Sequence, residues 1–229
     1  MSQTPPKEPT PKAIAQGLRD IRDAVADNSI RGWALVGGLA LQAHGVPRTT
    51  LDADAFVERE DLNMLAHTLV TDFGWAPLIR KGDNDNDIIA KEITIQFTFF
   101  TDGVIRKMIM LRSPQGLHLD LLPAQHPIER HMIESATLLT LHRVRVPVAP
   151  LGGILLVKTK ADRTKDVAAI EQTTEHLPRA QINAAVAWAK RLDRASTEDL
   201  QSIIANVWKR LTPNRRTRRN NNNNLRECQ

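Results

Sequence analysis

Three aspartates stand out by their spacing. Asp52 and Asp54 flank a single alanine in Leu51-Asp52-Ala53-Asp54-Ala55, and Asp120 lies in the similarly alternating run Leu117-His118-Leu119-Asp120-Leu121-Leu122. In a strand, residues two apart project from one face, roughly 6.5–7 Å apart at Cα. Two carboxylates held that close repel each other unless a cation lies between them. Mg²⁺ suits such a pair, because it takes oxygen ligands from one or two carboxylates and from substrate phosphates. An isolated Asp-x-Asp is more often the solvated face of a strand, so the pair needs a companion signal.

That signal is Gly37-Gly38, set between the apolar run Trp33–Val36 and a short helical segment at 39–44. Glycines there let the backbone approach a ligand closely, and the N–H groups at a helix start attract phosphate. Alone, the pair is only a strand-to-helix turn, neither a P-loop nor a dinucleotide fingerprint. Together, the glycine turn, the Arg48-Thr49-Thr50 loop and the Asp-x-Asp strand put a phosphate cradle beside a carboxylate pair. If the Asp120 strand is adjacent, three carboxylates meet at one point, the layout of two-metal phosphoryl chemistry.

Other residues have more than one reading. Arg48 pairs with Asp52 or Asp54, faces a phosphate, or is a plain loop arginine. Lys158 follows the apolar residues Ile154, Leu155, Leu156 and Val157, so it either snorkels outward or enters the cleft, and the cleft is favoured. Asp166 either caps a helix or orients Lys158. Asp83, Asp85 and Asp87 fail as a calcium loop, because Ile88 stands where glycine is needed and Thr94 where glutamate is needed. No histidine pair has metal-ligand spacing with a third ligand, His118 reads as a polar strand residue, and no Ser-His-Asp elbow is present.

The stretch Leu35-Val36-Gly37-Gly38-Leu39-Ala40-Leu41, followed by Gly45-Val46-Pro47-Arg48-Thr49-Thr50-Leu51-Asp52-Ala53-Asp54, resembles the motif of the DNA polymerase β-type nucleotidyltransferase superfamily. Its Arg-x-Thr-x-Asp-x-Asp form is similar to the AbiEii/MenT-like branch, known for bacterial toxin–antitoxin and abortive-infection enzymes. Leu156-Val157-Lys158 and Arg163-Thr164-Lys165-Asp166 fit the helical motif of that branch. The resemblance implies that Asp52 and Asp54 bind Mg²⁺ or Mn²⁺, and that Asp120 completes the second metal site and activates an acceptor hydroxyl. It further implies that Gly37 and Gly38 hold phosphates, and that Arg48, Lys158 and Arg163 belong to the nucleotide site. The implied substrate is an NTP such as ATP, the acceptor an RNA, a protein or a small molecule, and a cognate antitoxin a candidate partner. One departure is Leu39, where many members carry a Ser or Thr hydroxyl beside the glycines. It keeps open a second reading: a degenerate member that binds nucleotide, nucleic acid or a partner protein without catalysis.

The elements that must position these residues give an α/β pattern: a small mixed β-sheet with flanking helices, then a C-terminal helical domain. Apolar periodicity predicts a helix over 12–28. A strand follows at Trp33–Val36, then a helix at 39–44, a loop at 46–50 and a strand at 51–57. Asp61 is expected to cap a helix to about residue 72. A turn at 82–87 leads to β-structure at 88–91, 93–100 and 104–112. The Asp120 strand runs over 117–122 and ends at Pro123, and another strand is expected at 143–148. After Pro150 the chain reads as four helices, at 151–161, 163–175, 179–193 and 197–211.

The expected division is a disordered arm over 1–11, a core over 12–150, a helical domain over 151–211 and a basic, Asn-rich disordered tail over 212–229. That tail carries five arginines and one glutamate, so four of the chain's five net positive charges lie in it. The high isoelectric point thus describes the tail, and nucleic-acid binding through it is a third functional reading. The chain has 229 residues and a single cysteine, Cys228, which excludes an intramolecular disulfide and a cysteine-based zinc site. No apolar run approaches a membrane span, and the N-terminus does not read as a signal peptide. A cytoplasmic protein without membrane contact is therefore expected.

Overall fold

The computed structural model describes residues 9–50, 52–78, 95–98 and 105–212. Leu51, the acidic turn at 82–87, the strand expected at 88–91, the arm through residue 8 and the basic tail from 213 lie outside the described residues.

The chain opens with α1 (Pro11–Asp27), capped by Thr10, whose hydroxyl accepts from the Ala13 amide at 3.1 Å. Its buried residues Ile14, Leu18 and Ile21 fall at helical spacing and form one apolar face. Strand β1 (Trp33–Val36) is buried throughout and runs directly into α2 (Gly37–Ala43), so the two glycines are the first residues of the helix rather than a turn before it. Next come β2 (Asp52–Glu58) and α3 (Leu62–Thr71). Asp61 stands before α3 but makes no cap bond. Its carboxylate accepts from the Arg31 amide at 2.9 Å and tethers the β1 approach instead.

The strands β3 (Ala76–Pro77), β4 (Ile95–Thr98), β5 (Ile105–Arg112) and β6 (His118–Ala124) follow, then α4 (Pro127–Glu134) and the hairpin β7 (Thr137–Leu141) and β8 (Val144–Val148). The sheet order is β3-β5-β6-β2-β1-β8-β7, with β4 also paired to β5. It is a mixed sheet: β2 is antiparallel to β1 and parallel to β6, while β1 is parallel to β8. Pro123 does not end β6, because the β5 register runs only as far as Leu121 and Pro123 is paired on the β2 side alone, opposite Val57. A proline is tolerated where one ladder is missing.

Four helices end the described residues: α5 (Leu151–Ala161), α6 (Thr164–His176), α7 (Arg179–Lys190) and α8 (Arg194–Leu211). One continuous cluster of buried side chains runs from Ile14 to Ile204, so the sheet and these helices share a core. Alternation splits β2 and β6 cleanly. Ala53, Ala55, Leu119 and Leu121 are fully buried, and on this side Leu117 meets Gly17 of α1. The opposite face carries the three aspartates and is roofed by α4 and α5. Gly152 and Gly153 bring α5 close to α7, since a Cβ on either would collide with α7 or Met132.

Candidate metal centre and anion-binding cleft

The sheet register assembles the acids. Asp54 lies opposite Asp120 in the parallel β2–β6 pair and opposite Val36, the last residue of β1, in the antiparallel β1–β2 pair. One carboxylate oxygen from each of Asp52, Asp54 and Asp120 lies within 4.8 Å of the others. These are three hard oxygen donors at the separation that a divalent cation can bridge, which fits Mg²⁺ or Mn²⁺ and argues against soft-metal sites.

The electrostatics of the cluster point the same way. Asp54 is pushed up to about 6, first by burial and then by the neighbouring Asp52 carboxylate, with Lys158, Lys165 and a hydrogen bond from the Gly38 amide pulling in the opposite direction. The Thr50 hydroxyl donates to Asp52 Oδ1 at 2.8 Å and fixes that carboxylate.

The glycines are required by this packing. Gly37 has φ +64°, and a Cβ there would overlap the Asp54 carboxylate. A Cβ on Gly38 would sit 2.6 Å from the Thr50 hydroxyl oxygen. The Leu39 side chain is fully buried in the core and does not reach the cleft. A hydroxyl does stand beside the glycines, but it comes from Thr50 in the loop between α2 and β2.

Opposite the acids stand the cations. Lys158 Nζ donates to Asp166 Oδ1 at 2.8 Å, and Arg163 Nε donates to Asp166 Oδ2 at 2.5 Å. Of the two readings of Asp166, the geometry matches orientation of Lys158. Its burial works against its charge, but the hydrogen bonds from Arg163 and Lys158 together outweigh that and hold it below the ordinary carboxylate range. Asp162 takes a left-handed conformation, φ +45°, and turns the chain between α5 and α6 so that Lys158 and Arg163 converge.

Arg48 behaves differently from the other cations. Its Nε and Nη1 are buried and meet no hydrogen-bond partner, so it does not pair with Asp52 or Asp54. The loop that carries it is pinned from both sides: Gln42 Nε2 donates to the Arg48 carbonyl and Gln172 Nε2 to the Pro47 carbonyl, each at 2.6 Å. Buried guanidinium nitrogens without an acceptor are costly unless a ligand supplies one.

All eight residues singled out from the sequence, Gly37, Gly38, Arg48, Asp52, Asp54, Asp120, Lys158 and Arg163, line one cleft of about 390 Å³. Two further residues, Thr50 and Lys165, line it as well and had no role in the sequence reading. Both lie inside the stretches that carried the resemblance, Thr50 two residues before Asp52 and Lys165 two after Arg163. Those spacings were the available signal. His118 pairs with Asp52 across the strands but does not line the cleft. No helix among the described residues is long and apolar enough to cross a membrane.

Comparison with protein-family models and with curated protein sequences gives no match. Among solved structures the chain is similar to a Thermotoga maritima protein provisionally designated a nucleotidyltransferase. The match has 14% identity and a TM-score of 0.45, covering 69% of this chain and 89% of that one. It is also similar to an antigenic nucleotidyltransferase-like protein of Paracoccidioides brasiliensis, with 15% identity and a TM-score of 0.46, covering 85% and 94%. A third is terminal uridylyl transferase 4 of Trypanosoma brucei, solved with bound GTP, with 13% identity and a TM-score of 0.32, covering 52% of this chain and 32% of that one. Likenesses this loose carry neither residues nor reactions over to this chain.

Proposed function

We propose that this protein is a metal-dependent nucleotidyltransferase that moves a nucleoside monophosphate from an NTP to an acceptor hydroxyl, as the AbiEii/MenT-like resemblance implies. The observation that supports this best is the pairing of opposites in one cleft. Three converging carboxylates face a glycine helix start, two fixed cations and an arginine with two buried nitrogens that lack an acceptor. A polyphosphate carrying divalent metal satisfies both halves at once.

In this reading residues 12–150 are the catalytic core, and residues 151–211 a helical domain that supplies Lys158 and Arg163. Asp52 and Asp54 would hold the metal that accompanies the triphosphate, and Asp120 would complete a second metal site beside the acceptor hydroxyl. A divalent cation bound there neutralises charge that builds up on the phosphoryl oxygens. The Gly37 and Gly38 amides, Arg48, Lys158 and Arg163 orient the phosphates. The acceptor oxygen bonds to the α-phosphorus, the bond from that phosphorus to the bridging oxygen breaks, and pyrophosphate leaves. Asp120 takes the proton of the hydroxyl. Positioning and fixed charge are the main sources of rate.

The test is incubation with each of four labelled NTPs, Mg²⁺ or Mn²⁺ and cell extract, following pyrophosphate release and the fate of the label. Label on RNA, protein or a small molecule identifies the acceptor, and prior addition of a co-encoded partner protein tests for an antitoxin. Binding of NTP with no pyrophosphate release under any condition would instead make the chain a nucleotide-binding, non-catalytic member.

A further inference from the structure

The cleft is polarised along its length. On the sheet side the shared face of β2, β6 and β5 forms a grid. Asp54, Asp120 and Met110 make one row by direct register. The next row, two residues along each strand, is Phe56, Leu122 and Met108, since Phe56 pairs with Leu122 and the β5–β6 register carried one residue further brings Met108 beside Leu122. On the helix side, Ile154, Val157, Lys158 and Ala161 share one face of α5 at spacings of three and four. Ile154, one turn before Lys158, and Met132 of α4 add apolar lining to the same cleft, while Lys158 acts on Asp54 across it.

At the apolar end Phe56, Met108, Met132 and Ile154 are no more than 3% exposed, whereas Leu122 and Val157 are partly exposed, one on each wall. Every polar side chain that lines the cleft among the described residues is an acid or cation already placed, or Thr50. None of them is a neutral amide or hydroxyl at the apolar end.

Resting on the nucleotidyltransferase reading, we infer that this apolar end is the seat of the NTP's nucleobase, gripped by its faces between Leu122 and Val157, with no side chain among the described residues reading its edges. The acceptor of a group transfer must approach the α-phosphate from the open side of the acids, so the apolar end falls to the part of the NTP beyond that phosphate. A flat ring with apolar faces is the part that fits there. A site that contacts faces alone discriminates by contact area rather than by hydrogen-bond pattern. The enzyme therefore accepts all four bases, purines somewhat more tightly than pyrimidines.

The test is calorimetric binding of ATP, GTP, CTP, UTP and inorganic tripolyphosphate, each with Mg²⁺ or Mn²⁺, to the full chain and to Leu122→Ala and Val157→Ala. For wild type we expect all four nucleotides to bind more tightly than tripolyphosphate and to lie within about tenfold of one another. Each substitution should weaken all four by roughly 5–20-fold, with tripolyphosphate affinity unchanged. That unchanged affinity also shows that the variants are folded. One base favoured by 100-fold or more would overturn the inference, and so would nucleotides binding no more tightly than tripolyphosphate. Loss of tripolyphosphate affinity in both variants would make these side chains supports of the phosphate cradle and overturn it as well. If neither nucleotides nor tripolyphosphate bind at all, the nucleotidyltransferase reading itself fails, a result distinct from failure of the base seat alone.

Discussion

Asp54 and Asp166 are two aspartates withdrawn from water on opposite walls of one cleft, and their environments drive them in opposite directions. Burial, and after it the Asp52 carboxylate, push Asp54 up to about 6. Asp166 accepts from Lys158 and Arg163 and is held down. The difference separates two uses of a buried acid. Asp166 is satisfied within the fold and acts as a post that aims two cations. Asp54 accepts from the Gly38 amide yet shares its place with a second carboxylate, and a cation from outside would offset that repulsion. The unpartnered nitrogens of Arg48 show a like need with the opposite sign.

The comparison is broken most severely at Asp166. Asp166→Ala leaves Lys158, whose side chain is only 15% exposed, without its counter-charge. Breaking a buried pair costs about 3–5 kcal/mol, but Arg163 is nearly half exposed, so a loss of ~2–4 kcal/mol is expected. Urea unfolding measures it. A loss below ~0.5 kcal/mol would mean that the post carries no structural load. Asp120→Asn should spare stability and strike turnover instead. Its amide keeps the shape but removes the charge, so single-turnover transfer should fall by at least about 10²–10³-fold. Binding of a non-hydrolysable NTP should stay within a few-fold of wild type. A parallel collapse of binding would place Asp120 among the primary nucleotide-metal ligands.

The reach of the sequence follows the same division. Strand alternation and the glycine turn placed Asp52, Asp54 and Asp120 on the correct faces, because period-two burial is written directly into the residue types. The four helices after Pro150 matched within a few residues for the same reason at helical period. What went unread lacked its usual chemical marker. Helix α4 is capped by His126, whose Nδ1 accepts from the Ile128 amide, with Glu129 accepting from the His126 amide, so the box has no Ser, Thr, Asp or Asn at its head. Pro127 was the remaining signal. The β7–β8 hairpin turns on His142 and Arg143, both at positive φ, where Asn-Gly would be expected. Leu138, 58% exposed, blurs the strand alternation as well. The burial of the Arg48 nitrogens depended on long-range packing, with Gln172 reaching Pro47 across the fold, and no local pattern encodes that.

A milder way to sharpen the contrast is at Lys158. Lys158→Ala removes one of the two cations that Asp166 aims, leaving Arg163 to hold the post. Triphosphate binding should weaken by about 1.5–3 kcal/mol, the range for a hydrogen bond to a charged group. Monophosphate binding should weaken less, because fewer phosphate charges lie within reach. Isothermal titration with both ligands checks this, and equal losses would place Lys158 outside the phosphate site.

The smallest expected effect tests Asp54 itself, through the pH dependence of stability in the metal-free protein. An unfolded aspartate ionises near 3.8, whereas folded Asp54 holds its proton to about 6. Between those values the folded state binds the extra proton, so stability contributed by protonated Asp54 is complete below about pH 4 and is lost as the pH rises through 6. At pH 7.5 the wild type therefore carries a repulsion between Asp54 and Asp52 that Asp54→Asn lacks. The variant should be more stable by ~1–2 kcal/mol there, less than the full shift implies because the cleft is open to water, and indistinguishable from wild type near pH 4. Saturating Mg²⁺ or Mn²⁺ at pH 7.5 should close the gap by stabilising the wild type, since a bound cation relieves the same repulsion and the amide is a poorer ligand. Thermal unfolding of both proteins, with chelator and with metal, at both pH values is the measurement. A variant that is less stable than wild type at pH 7.5 with chelator would mean that ionised Asp54 is already compensated within the fold, and the contrast with Asp166 would not hold.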